Sequence, residues 1–301
     1  MNDRPKSQLE NALGRNMRPR FPQKWFQIRN LSNHRFRGLA AGLLCILPCL
    51  TLQHVSAAGL PPIYTISYEQ NCPPLDDEFI TLLANADERI ADWLPLFEKR
   101  FREQTRIRIH LYAEPTANVN IRHAYIEMNW INDRFECILH ILHPDCFDGE
   151  SRTELGQAMD SLYYKKLLIH EISTCYVEFL MNQNPHLKFS RCPAWFVQGI
   201  EEYFGIYFSD PYWRETGYQD YLTRALDGAS IGFDYGINVE NDYLDGFVLV
   251  KFIVDEFEKY ALFRILRSEQ RFFGSALAQA VDCNMAEFQS RFRRWLRTQT
   301  E

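Results

Sequence analysis

The stretch LLIHEISTCYVEFL, residues 167 to 180, decides how this chain is read. It is apolar on nearly every turn, holds no proline or glycine, and runs up to Asn182-Gln183-Asn184-Pro185, so it reads as a buried helix stopped just before a proline. Inside it stand His170 and Glu171. On a helix, positions i and i+4 share a face, and the position that shares one with His170 is Thr174. Two imidazoles at that spacing hold one zinc ion, with the glutamate beside the first acting as base on the bound water. Here the second imidazole is missing. A His-Glu pair in a chain of eight histidines carries little alone.

Working outward, Pro193 opens PAWFVQGIEEYFGIYF, where a first helical turn accepts proline. Further helices are expected at about 211 to 227, 243 to 260, 261 to 271, 273 to 281 and 284 to 298. The last repeats Phe288, Phe292, Trp295 and Leu296 at helical spacing, which makes a core face. Upstream, Ser151-Arg152-Thr153-Glu154 is a capping box at the head of the helical half. IYTISYEQ, from Ile63, has strand character, and an amphipathic helix is expected from Asp76 to Phe101. TRIRIHLYAEP, from Thr105, alternates as a half-buried strand does, and His110 belongs to that alternation. Residues 120 to 143 read as a hairpin turning at Asn132-Asp133-Arg134. His140 and His143, three apart, point to opposite faces of such a strand and cannot share a metal. The fold class is therefore α+β. A small sheet lobe with one long helix, residues 58 to 150, precedes a mainly helical lobe, residues 151 to 301, and the two form one structural unit.

Residues 1 to 57 read as an export signal. A long basic region leads into the uncharged run GLAAGLLCILPCLTL, residues 38 to 52, and Val55-Ser56-Ala57-Ala58 offers the small residues of a cleavage site near Ala57. Met17 is an alternative start. Fifteen apolar residues fall short of the ~20 that span a bilayer, so cleavage is favoured over an anchor formed by residues 38 to 52. Localisation is then periplasmic or secreted, with membrane contact only through an uncleaved signal. The whole chain carries a formal charge of −6. Without residues 1 to 57, which hold nine Lys/Arg and two Asp/Glu, it keeps 24 basic against 37 acidic residues, a net −13. Such a surface does not bind nucleic acid through bulk charge. Six cysteines remain, Cys72, Cys137, Cys146, Cys175, Cys192 and Cys283. They permit up to three disulfides in about 15 pairings, and no C-x-x-C pair is present.

The segment Trp195-Phe196-Val197-Gln198-Gly199-Ile200-Glu201-Glu202-Tyr203 resembles the W-L-x-E-G-x-A-E-Y helix of gluzincin metallopeptidases. The order of parts is similar too: a sheet lobe, an H-E-x-x-H helix, a proline-led second helix and a helical tail like that of the peptidase-MA-like group. The resemblance covers roughly residues 75 to 298 and implies a thermolysin-like fold. Carried over position by position, it puts His170 on the first zinc ligand and Glu171 on the general base, both retained. Thr174 falls on the second ligand and Gln198 on the third, both replaced. Glu202 falls on a carboxylate that orients the first histidine, and Tyr243 on a tyrosine that can stabilise an oxyanion. Cys175 and Cys192 flank the connection between the two motif helices, and a disulfide between them would pin those helices together.

A hydroxyl and an amide are poor zinc donors, so the expectation is no bound zinc and no cofactor. Without the metal, water beside Glu171 keeps a pKa near ~15.7 instead of ~7 and is not a useful nucleophile. The implied function is an exported peptidase-like protein that has lost catalysis and acts by binding a protein or peptide in the cleft between its lobes. The alternative is an active zinc metallopeptidase that recruits substitute ligands, with Glu201 or Glu202 leaning in from the second helix.

Overall fold

The computed structural model describes residues 53–55, 59–69, 71–93, 98–113, 124–146, 160–187, 191–227, 231–233 and 236–299. All fall in one compact unit, Leu47–Glu301. The export signal apart from residues 53–55, the capping box at Ser151 and the residues between 113 and 124 lie outside the described residues. Among the described residues no helix is long and apolar enough to cross a membrane.

The architecture mixes α and β, with a small sheet and a larger share of helix. Five strands, β1 (Gln53–Val55), β2 (Tyr64–Tyr68), β3 (Thr105–Tyr112), β4 (Ala124–Ile131) and β5 (Arg134–Leu142), pair in the order β1-β2-β3-β5-β4. The central pairings β2-β3 and β3-β5 are parallel, while the outer strands β1 and β4 run antiparallel to their neighbours. Between β2 and β3 the chain crosses over through α1 (Asp77–Trp93) and α2 (Glu98–Gln104), as a parallel pair requires. The helix expected over 76 to 101 is thus described as two pieces, with residues 94 to 97 outside the described residues. β4 and β5 form the expected hairpin; Asn132 and Asp133 both take left-handed backbone, φ 49° and 63°, which suits the twist of a two-residue turn.

Alternation sorts the sheet into two faces. Ile66, Ile107, Ile109, Leu111, Phe135, Cys137, Leu139 and Ile141 are fully buried on the face that the helices cover. Their alternate neighbours, Arg106, Arg108, His110 and His140 among them, lie on the other face. His110 and His140 are half-buried there: Ser67 Oγ is 2.9 Å from His110 Nδ1, and Tyr125 stacks on His140 at 4.1 Å.

Helix α3 (Ser161–Gln183) runs across the buried face, with Phe179 packed against Phe135 of β5 and Trp130 of β4. Asp160 caps its start by accepting from Tyr163 N–H at 3.0 Å, and Asn184 ends it where the Asn-Pro signal predicts. Cys175 faces the sheet and is bonded to Cys137. This corrects the expected Cys175–Cys192 bridge. Five residues after His170 is about 140° around the helix, which turns Cys175 away from α4 and onto β5, while Cys192 keeps a thiol. A pair tying buried Asp87 to half-buried Arg102, with the hydroxyls of Tyr64 and Tyr176 also on Asp87, locks α1, α2, β2 and α3 together.

α4 (Ala194–Ser209), introduced by Pro193, lies against α3 on one side and against α6 (Leu244–Phe257) on the other. Glycines set both approaches. A Cβ at Gly199 would stand 2.4 Å from the Gly246 carbonyl oxygen, and one at Gly205 would stand 3.0 Å from Lys166 O and 3.2 Å from His170 Cβ. A π-helical turn, Trp213–Gly217, leads into α5 (Gln219–Asp227), and a two-stranded ribbon, β6 (Ile231–Gly232) and β7 (Asn238–Val239), precedes α6. α7 (Tyr260–Leu266), α8 (Phe273–Val281) and α9 (Met285–Thr298) complete the unit, and Phe288, Phe292 and Trp295 of α9 surround Phe252 of α6 as their spacing predicts.

Candidate functional site

Because Gly205 lets α4 close on α3, the second motif helix presents Glu201 and Glu202 to His170. His170 Nδ1 is 3.0 Å from Glu202 Oε2, and its other nitrogen, Nε2, is 3.8 Å from Glu201 Oε2. All three side chains are buried. Tyr243, at the head of α6, sets its ring beside the imidazole with centroids 5.8 Å apart. The structure therefore brings together His170, Glu171, Glu202 and Tyr243, the residues that the resemblance groups. Glu178, two turns after His170, is instead tied to Asn182 at 3.1 Å.

Two further residues of the cluster have no counterpart in the sequence reading. Lys166, one turn before His170 and itself buried, donates to Glu202 Oε1. The Tyr221 hydroxyl donates to the same oxygen at 2.7 Å and stands 3.0 Å from Lys166 Nζ. Above the ammonium lies the ring of Trp213, 5.1 Å away. A lysine in the run YYKKLLIHE is the one signal the sequence offers for this pair, because its position places it on the face of His170.

These contacts set the charge states. Burial acts to raise the Glu202 carboxyl, but the Lys166 ammonium and the hydrogen bond to His170 outweigh it, and Glu202 is held well below the usual carboxylate range. Burial acts to lower His170, yet the Glu202 hydrogen bond and the surrounding carboxyls bring it out above its ordinary value. Glu201 has no such cation: burial pushes it up to about 8, with His170 pulling it down only in part. Glu171 is raised as well, again by burial first. Tyr243 is pushed up by burial and by Glu171, Glu201 and Glu202.

At the two substituted positions, Thr174 and Gln198, the donors differ from zinc ligands. The Thr174 hydroxyl is 3.4 Å from the His170 carbonyl oxygen, and it also lowers Glu201 through a side-chain hydrogen bond. The Gln198 amide oxygen and Glu201 Oε1 are buried and take no hydrogen bond among the described residues. This donor set does not fit the zinc ion of a gluzincin. One imidazole nitrogen and one carboxyl with a raised pKa face each other, and the nearest well-ionised carboxylate is engaged by Lys166. Among the described residues no three His, Cys, Asp or Glu are grouped so as to hold a metal ion. Neither the protein-family models nor the curated proteins give a match to this chain.

Proposed function

We propose that this chain is an exported, peptidase-like protein with a gluzincin-like fold that has given up zinc and catalysis and works by binding. The observation that carries this is the donor set around His170 Nε2: the carboxyl facing it at 3.8 Å is Glu201, which burial pushes up to about 8, and Thr174 and Gln198 offer neither an imidazole nor a carboxylate. Glu202, which orients His170 at Nδ1, answers to the buried ammonium of Lys166. Glu171, whose carboxyl burial raises, then has no metal-bound water to act on.

The binding element in this reading is β4. It is the last strand of the sheet, and an extended peptide can add along such an edge by main-chain hydrogen bonds. Trp130 and Ile131 at its end are exposed and apolar. Strand addition there would run past the face of α3 on which Phe179 meets Trp130.

A second reading, a zinc peptidase with substitute ligands, is favoured by one distance, the 3.8 Å between His170 Nε2 and Glu201 Oε2. Elemental analysis of the purified protein, paired with a peptidase assay in added zinc, separates the two. The binding reading expects no stoichiometric zinc and no hydrolysis. Zinc at one equivalent that vanishes in His170→Ala would overturn it.

A further inference from the structure

Cys72 and Cys146 stand in two turns that meet at one end of the sheet. Glu69 N–H donates to the Leu111 carbonyl at 2.9 Å, and His143 N–H donates to the carbonyl of the next residue, Tyr112, at 2.8 Å. The chain leaving β2 and the chain leaving β5 are thereby pinned to adjacent residues of β3, one on each side of it. Each then folds back within three residues. Asn71 adopts left-handed backbone, φ 76°, and Cys72 N–H returns to the Glu69 carbonyl at 3.0 Å. Cys146 closes the short helical turn Pro144–Cys146, its N–H returning to the His143 carbonyl at 2.9 Å.

Left straight, the two chains would be held about 9 to 10 Å apart by the strand between them. The two turns bend at that same end of the sheet, and the two thiols lie within electrostatic reach of each other and of the buried Tyr164 hydroxyl. We propose that Cys72 and Cys146 are a thiol pair that oxidises to a second disulfide, joining the turn after β2 to the turn after β5.

The chemistry divides between the two. Burial, and the neighbouring Cys146, push the Cys72 thiol up to about 11, so its thiolate is scarce at neutral pH. Cys146 is exposed and is the attacking group. Its thiolate attacks a disulfide oxidant, such as oxidised glutathione or a thiol–disulfide oxidoreductase, and expels one thiolate of that oxidant to leave a mixed disulfide. Cys72, losing its proton, then attacks the Cys146 sulfur and expels the second thiolate. Two protons and two electrons leave the protein, and the oxidant's disulfide becomes two thiols. This bridge would differ from the buried Cys137–Cys175 bond in being reachable by solvent and hence by reductants.

The test uses the full chain incubated with excess oxidised glutathione, quenched with N-ethylmaleimide and digested without reductant. A peptide joining Cys72 to Cys146 is expected, lost on reduction under conditions that leave Cys137–Cys175 intact. Thiol titration of Cys72→Ser gives an independent sign: a bridged cysteine leaves its partner exposed, so the variant gains one titratable thiol relative to the oxidised parent. Overturning results are separate alkylation or glutathionylation of the two sulfurs, linkage of either to another cysteine or another copy, or loss of one titratable thiol in Cys72→Ser.

Discussion

His170 Nδ1 lies 3.0 Å from one oxygen of Glu202, while the other oxygen of that carboxylate is held by Lys166 and by the Tyr221 hydroxyl. One carboxylate thus fixes the orientation of the histidine and is itself fixed by a cation on the same helix as that histidine. An imidazole tied at Nδ1 presents Nε2 outward, which is the arrangement that second-neighbour carboxylates impose on metal-binding histidines. Here that arrangement is built around a pair of protein charges, Lys166 and Glu202.

Removing one member of that pair is expected to be costly. Lys166→Met leaves Glu202 buried without its cation and should destabilise the fold by about 3 to 5 kcal/mol, whereas Lys166→Met with Glu202→Gln should recover a large part of that loss. Urea denaturation of the parent, the single variant and the double variant measures both. A single variant within about 0.5 kcal/mol of the parent, the range of a neutral surface change, would show that the pair is not buried as described.

Glu201 predicts a pH dependence of defined sign. Its carboxyl rises from 4.5 to about 8 on folding, so between those values the unfolded chain releases a proton that the native protein keeps. The group's contribution to stability is full below pH 4.5 and is lost as pH rises toward 8. Glu201→Gln cannot ionise, so its stability relative to the parent should grow steadily from about pH 5 to about pH 8. Identical pH profiles for the two proteins would mean that Glu201 is already ionised inside the fold.

The glycine contact between α4 and α6 carries Tyr243 to the site, and it leaves no room for a methyl group. Gly199→Ala places a Cβ 2.4 Å from the Gly246 carbonyl oxygen and must push the helices apart. A loss of about 1 to 3 kcal/mol is expected from such overpacking, with altered fluorescence of the neighbouring Trp195. Unchanged stability would show that the helix pair opens freely.

Much of this fold is legible in the sequence alone, and the rest is hidden for physical reasons. Period-two alternation marks β3 and the β4-β5 hairpin; period 3.6 and the proline signals mark α3, α4 and the helices after them. His170, Glu171, Glu202 and Tyr243 can be grouped from the sequence only through the resemblance to the gluzincin helices, since they belong to three separate elements, α3, α4 and the head of α6. Lys166 and Tyr221 cannot, since a lysine in a helix reads as solvent-facing until a partner helix is known to close over it, and Gly205 is what permits that closure. The disulfide is hidden for a related reason. Cys137 alternates with Phe135, Leu139 and Ile141, which marks it as inward-facing, but only the packing of α3 on β5 makes Cys175 its neighbour. Residues 53 to 55 read in sequence as part of the export signal, yet Gln53–Val55 pairs with β2, so a chain cut near Ala57 would carry β2 as its sheet edge.

The substituted positions give the most direct test of the site. Thr174→His with Gln198→Glu restores an imidazole one turn after His170 and a carboxylate one turn before Glu202, and adding Glu201→Ala removes the raised carboxyl that now faces His170 Nε2. Lys166 and Glu202 stay, so His170 remains oriented. Zinc added to this triple variant should raise its stability by an amount that grows with concentration, about 2.7 kcal/mol at one hundred times the dissociation constant, while leaving the parent unmoved. Thermal unfolding with and without zinc reads the difference, and a His170→Ala version of the triple variant should lose it. If zinc stabilises neither protein, Thr174 and Gln198 do not face a common point, and the likeness of α3 and α4 to a peptidase site ends at the sequence. If it stabilises only the triple variant, the helices still hold the geometry of a metal centre, and the two substitutions together with Glu201 are what exclude the ion.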